Sequence, residues 1–194
     1  MIRIVVVYHS GAGHTQAVAV SVQEGIDSVD GVSTTVLNVD ELNAESSVAM
    51  EHWATLDQAD AIVFGSPTYM GSVSADFKRF VDQTGNRWYN RAWMDKLAAG
   101  FTVGGGLSGD KQSALQAIHT FACQHGMIWV SMGVGVGEAG IDRLSSSLGL
   151  MCQADNVPAN QSPPPEDHAT ARAFGARVAR AALRWGMSDE SSQS

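Results

Sequence analysis

The sequence predicts a doubly wound α/β sandwich built on one parallel sheet. Three observations lead there. Short runs of β-branched and other apolar residues alternate with segments of helical period. The first run, Ile2 to Tyr8 (IRIVVVY), is nearly all apolar, as a strand buried on both faces must be. Three loops rich in glycine, serine and threonine each follow such a run. In open α/β sheets that is where ligands bind.

Each element carries its own signal. From His14 the period changes, and Val18, Val22, Gly25, Ile26 and Val29 recur at helical spacing. Ser33 to Val39 reads as a second strand and Ala61 to Gly65 as a third, stopped by Ser66-Pro67. Val73, Phe77, Phe80 and Val81 mark the next helix. Lys96 to Gly106 carries a fourth strand into glycines. Ala114, Leu115, Ile118, Phe121 and Ala122 then share one helical face, which Gly126 ends. Met127 to Gly133 reads as a fifth strand. The last helix starts at a run of prolines and reaches Trp185; Phe174, Val178, Ala181 and Ala182 lie on its apolar face. Residues 1–186 are expected to form a single domain, with a long insertion at about 132–163 and a polar tail at 187–194.

Composition narrows the function. The chain has 194 residues, 44% hydrophobic and 16% charged, with a net charge of -8. An acidic chain without a basic field does not suit a nucleic-acid partner. Its two cysteines, Cys123 and Cys152, form no metal-type or disulfide-type pattern, so a reducing cytoplasm is expected. Cys123, among helix residues, reads as buried packing. His9 and His14 lack a third ligand, and no metal is expected. No apolar run is long enough for a membrane span or a signal peptide.

The three loops are HSGAGHT after the first strand, SPTYMGS after the third and TVGGGLSGD after the fourth. In a sheet of order 2-1-3-4-5 these strands are consecutive, so the loops meet at one edge. In the first loop, Ser10 and Thr15 supply hydroxyls, and Gly11, Ala12 and Gly13 leave backbone N–H groups open. A helix beginning at His14 adds the positive end of its dipole. That set suits a phosphate monoester held by neutral donors. The competing motifs fit worse. A Walker loop needs a lysine after its glycines. The dinucleotide fingerprint finds Gln16 at its last glycine and Asp40 late as its ribose acid. A nucleophile elbow needs glycines where Tyr8 and Ala12 stand. Tyr69 beside Thr68 and Met70 can flank a flat ring, and the third loop can bring backbone to that ring's edge. Phosphate, polar tether and flat heterocycle together describe FMN.

These residues resemble a known family. The segments VVVYHSGAGHT, IVFGSPTYMGSVSADFKRFVDQTG, RAWMDKLAAGFT and HGM are similar to those of the flavodoxin-like NAD(P)H:quinone oxidoreductases of the WrbA type, and more distantly to flavodoxins. The resemblance implies a flavodoxin-like three-layer sandwich with a five-stranded parallel sheet and helices on both faces. It implies that Ser10, Gly11, Ala12, Gly13, His14 and Thr15 hold the FMN phosphate. Pro67, Thr68, Tyr69, Met70 and Gly71 would line the ribityl chain and the ring. Val103, Gly104, Gly105, Gly106, Ser108 and Gly109 would cover the other ring edge. Trp88 matches an aromatic over the flavin, with Tyr69 beside it in the substrate pocket, and either Gln124 or His125 would contact the flavin. Trp93 is a nearby competitor for the place of Trp88.

By the same resemblance FMN is the reactive group, and no side chain acts as nucleophile or acid–base pair. The expected activity is two-electron transfer from NADH or NADPH to a quinone-type acceptor, in a homo-oligomer, dimer or tetramer. The alternative is a flavodoxin-type one-electron carrier without a substrate of its own. For Ser10 and Thr15 the plain alternative is helix capping, and for Tyr69 core packing.

Overall fold

The computed structural model describes residues 1–44, 46–133 and 141–190, with side chains described through 186 except within those gaps. The elements run β1 (Ile2–Tyr8), α1 (His14–Asp27), β2 (Val32–Asn38), α2 (Val39–Leu42), α3 (Ser47–Gln58) and β3 (Ala61–Tyr69). Then come β4 (Ser72–Val73), α4 (Ala75–Gln83), α5 (Gly85–Tyr89), β5 (Leu97–Gly104) and α6 (Lys111–Gln124). The chain closes with β6 (Ile128–Trp129), β7 (Leu150–Gln153) and α7 (Pro165–Glu190).

The sheet order is β2-β1-β3-β5-β6, and all these pairs are parallel. This is the predicted 2-1-3-4-5 arrangement, with two differences. β3 does not stop at Ser66-Pro67. It runs on to Tyr69 and folds back on β4 as a short antiparallel hairpin. Ser66 explains why, because its Oγ accepts from the Ser74 N–H at 3.0 Å and holds the hairpin closed. The fifth position in the sheet is also filled in two pieces. β6 pairs with Leu97 and Ala98 at the start of β5, and β7 pairs with Phe101 to Gly104 at its end. Between them the chain leaves the sheet edge. Trp129 Nε1 donates to the Leu148 carbonyl at 2.8 Å and closes that excursion. The segment expected as an insertion at 132–163 therefore contains the strand β7. Residues 134–140, part of that prediction, lie outside the described residues.

Side chains of β1 alternate between two cores. Ile4, Val6 and Tyr8 pack with Val18, Val22, Phe174 and Val178 beneath α1 and α7. Val5 and Val7 pack with Phe64, Phe77, Phe80, Trp93 and Phe121 on the opposite face. Burial on both faces is why the strand reads as an unbroken apolar run. Trp93 is fully buried while Trp88 is 51% exposed, which separates the two candidate tryptophans. Cys123 is exposed, contrary to the packing expected of it, because it faces away from the Ile118, Phe121 and Ala122 side of α6. The buried thiol is Cys152, in β7. Among the described residues no helix is long and apolar enough to cross a membrane.

Candidate functional site

A cavity of about 330 Å³ opens at the carboxyl ends of β1, β3 and β5. The first loop lends it Ala12, His14 and Thr15, the second Pro67, Thr68 and Tyr69, and the third Val103, Gly104 and Gly105. A fourth wall, Ala154, Asp155 and Asn156, comes from the chain just after β7.

The first loop is held close to home. Gly13 is the N-cap of α1 at φ 86°, a left-handed conformation that disfavours a Cβ. Gly13 has no side chain with which to cap α1, so Ser10 does so from upstream, and the first turn carries no acid. Ser10 Oγ accepts from the Gln16 N–H at 3.2 Å. Tyr69 leans over this loop: its hydroxyl lies 2.6 Å from where a Cβ on Gly11 would sit. Any larger residue at Gly11 displaces that ring. One long-range tie joins loop and insertion, the 2.7 Å hydrogen bond between His14 Nε2 and the Val157 carbonyl. An acid-free helix start beside hydroxyls fits a phosphate by the chemistry of its donors.

His9 points elsewhere. Its Nδ1 bonds Ser74 Oγ at 2.8 Å and its Nε2 lies 3.6 Å from Asp76, so it ties the first loop to the start of α4. Met70 and Gly71 form the hairpin turn at φ 48° and 76°, and Met70 is fully exposed.

The third loop is held from below. Lys111 is completely buried, and its Nζ donates to the carbonyls of Gly106 and Leu107. Burial pushes its pKa down. Gln153 Nε2 donates to the Gly105 carbonyl at 3.2 Å. Arg143 Nη2 donates to Gln153 Oε1 at 3.1 Å, and the same guanidinium grips buried Asp167 at 2.6 and 3.0 Å. Gly106, Ser108 and Gly109 are exposed in the turn before α6. Sequence reasoning missed Lys111, whose charge reads as a solvated surface until the fold buries it, and missed Gln153 and the wall at 154–156, which meet a loop distant in sequence.

Trp88, Gln124 and His125 do not reach this cavity. They line a second depression of about 350 Å³ with Thr84 and Phe121. Thr84 Oγ1 donates to the Val81 carbonyl at 2.7 Å, so its one proton is committed. His125 Nε2, 2.9 Å from Thr84 Oγ1, is therefore the donor in that contact. Its Nδ1 is buried without a partner, between Trp93 and Phe121. A second proton there is opposed by burial and by Arg87, and the pKa falls to about 4. His125 is thus a neutral ring at physiological pH.

A family model described as NADPH-dependent FMN reductase matches residues 2–140. A flavodoxin from Pseudomonas aeruginosa (strain UCBPP-PA14), FldP, is 41% identical over 186 residues, covering 93% of this chain and 96% of that protein. The crystal structure of a WrbA-like flavodoxin from Agrobacterium tumefaciens is 38% identical with a TM-score of 0.76, over 95% of this chain and 99% of the other. An archaeal flavodoxin, 21% identical over 94% of this chain and 99% of its own, shares the fold at a TM-score of 0.66.

Proposed function

The chain belongs to the NADPH-dependent FMN reductase family, and on that footing we propose that it uses FMN to carry two electrons from NADH or NADPH to a quinone-type acceptor. The observation that carries this reading is the cavity where the three glycine-bearing loops meet at the carboxyl ends of β1, β3 and β5. Ser10, Thr15 and the backbone of Gly11 to Gly13 hold the phosphate with neutral donors. Pro67, Thr68 and Tyr69 line the tether and one side of the ring, and Val103 to Gly105 bring backbone to its edge. FMN, when bound, supplies the redox chemistry, and the protein supplies orientation and restricted access.

Trp88 and Tyr89 are 51% and 80% exposed beside the depression that holds Gln124 and His125. Such aromatic exposure suits a contact between copies of this chain, so a homo-oligomer with Trp88 near the acceptor is part of the proposal, as is a cytoplasmic setting. Light scattering of the native chain tests the assembly.

A second reading is a one-electron carrier, favoured by the relative that is named a flavodoxin. FMN titration by flavin fluorescence, with riboflavin as control, comes first. Tight FMN binding and much weaker riboflavin binding support the phosphate cradle. Steady-state turnover with NADH or NADPH and benzoquinone then supports the enzyme. Binding without turnover, with a stable one-electron-reduced flavin on titration, supports the carrier.

A further inference from the structure

Thr68 lines the cavity, and Thr102, directly behind it on β5, is fully buried. Their hydroxyl oxygens are 2.7 Å apart. Thr102 Oγ1 also lies 2.7 Å from the carbonyl oxygen of Ser66. A carbonyl can only accept, so the single proton of Thr102 goes to Ser66. Thr102 then has no proton left for Thr68. If Thr68 kept its own proton for the cavity, two oxygens would face each other at 2.7 Å with none between them. The chain of donation therefore runs from Thr68 to Thr102 to the Ser66 carbonyl.

This order settles what Thr68 offers the cavity. Its proton is spent backwards, so its oxygen has only lone pairs to offer a ligand. Parallel register fixes the arrangement, since Ser66 and Thr102 are direct partners in the β3–β5 ladder and Thr68 follows Ser66 by two residues on the same face. Among the described residues no protein donor meets those lone pairs.

We infer that Thr102 is a positioning residue that locks Thr68 as an acceptor, and that Thr68 reads a hydrogen-bond donor, a tether hydroxyl or a ring N–H, on the flavin nucleotide. The inference rests on the FMN reading. It gives the site a polarity. A ligand presenting only acceptors at this point meets lone pair against lone pair and is rejected, while a donor is accepted without any reorganisation of the wall.

The test measures FMN dissociation constants by flavin fluorescence for the native chain, Thr102→Val, Thr102→Ser, Thr68→Val and the double variant Thr68→Val/Thr102→Val, each checked for folding by thermal unfolding. Thr102→Ala replaces Thr102→Val if the latter does not fold. Thr102→Val should weaken FMN by about three- to tenfold, the range of one hydrogen bond, and Thr102→Ser should restore native binding. In the Thr68→Val background, Thr102→Val should change nothing further, because Thr102 acts only through Thr68. Lumiflavin, which has the ring without the hydroxylated chain, locates the donor. Weakened lumiflavin binding by Thr102→Val assigns it to the ring, and unchanged binding assigns it to the chain. Native FMN affinity in Thr102→Val overturns the inference, as does an equal loss in both backgrounds, which marks a merely structural role. If the native chain does not bind FMN, the cofactor reading itself fails, a result distinct from native binding with a silent Thr102→Val.

Discussion

Two glycine-rich loops stand at the carboxyl end of one sheet, on strands that β3 separates, and they are held in different ways. The loop after β1 is short and its turn is set by its own residues, since Ser10 bonds Gln16 and Gly13 turns the chain into α1, while His9 and His14 anchor its two ends to Ser74 and Val157. The loop after β5 is longer and exposed, and it is suspended from residues that follow it. Lys111 holds two of its carbonyls, and Gln153 holds a third. Even the helix starts differ. Both α1 and α6 begin after a left-handed residue that does not itself cap the helix, but that residue is Gly13 in one and Asp110, at φ 54°, in the other. A loop that must grip an invariant group such as phosphate can be written locally. A loop that covers one edge of a larger ligand is set by the framework beneath it.

The sharpest way to break this contrast is Asp167→Ala. It leaves the half-buried Arg143 guanidinium without its carboxylate and removes the acceptor of the Gln153 N–H. Breaking such a pair costs about 3 kcal/mol. Denaturant unfolding should show that loss, and hydrogen exchange should rise at 104–110 while 14–18 stays protected. Equal loosening of both loops would erase the distinction.

Acid provides the opposite control, because His125 lies under neither loop. Its pKa is about 4 in the fold against 6.5 unperturbed. Between those values the unfolded chain binds the extra proton, so stability falls as pH drops from about 6.5 to about 4 and levels below that. The span corresponds to about 3 kcal/mol. Both loops should fail together over that window, and His125→Gln should flatten the pH dependence of the denaturation midpoint.

A smaller effect compares the two helix starts. Gly13→Ala forces a Cβ into a left-handed position and toward Ala159, and should cost about 1–2 kcal/mol. Asp110→Gly relieves the same conformation and should stabilise, or change little, within about 1 kcal/mol. Thermal unfolding reads both. A Gly13→Ala variant as stable as the native chain would show that the first loop does not depend on its own glycine.

Much of this architecture was legible in the sequence, and its gaps have physical causes. α1, α4, α6 and α7 announced themselves because each buries one apolar face. α3 did not, since only Ala49 and Leu56 along it are buried, and its clearest local sign is Ser46, whose Oγ caps it by accepting from the Ala49 N–H. The residues brought together at the cavity include nine that sequence reasoning nominated, from Ala12 to Gly105. Trp88, Gln124 and His125 were nominated with them and stand apart. Spacing along the chain gives no measure of which depression a residue on α5 or α6 will face.

The sequence by itself determined the parallel sheet and the glycine-led start of α1, while the sheet's strand order came from the family resemblance. The first two depend on periodicity, on burial of β1 on both faces and on a glycine that a tight helix start demands, and each is a local property of the chain. Tertiary structure alone decided the two-piece fifth strand, the buried Lys111 beneath the third loop, the wall at Ala154 to Asn156 and the direction of the Thr68–Thr102–Ser66 relay. Apart from Lys111, which turns back onto carbonyls four and five residues before it, each of these needs a partner dozens of residues away or a proton that a neighbouring strand has already claimed. Such pairings leave no period in the sequence, because register and packing create them only when the sheet closes.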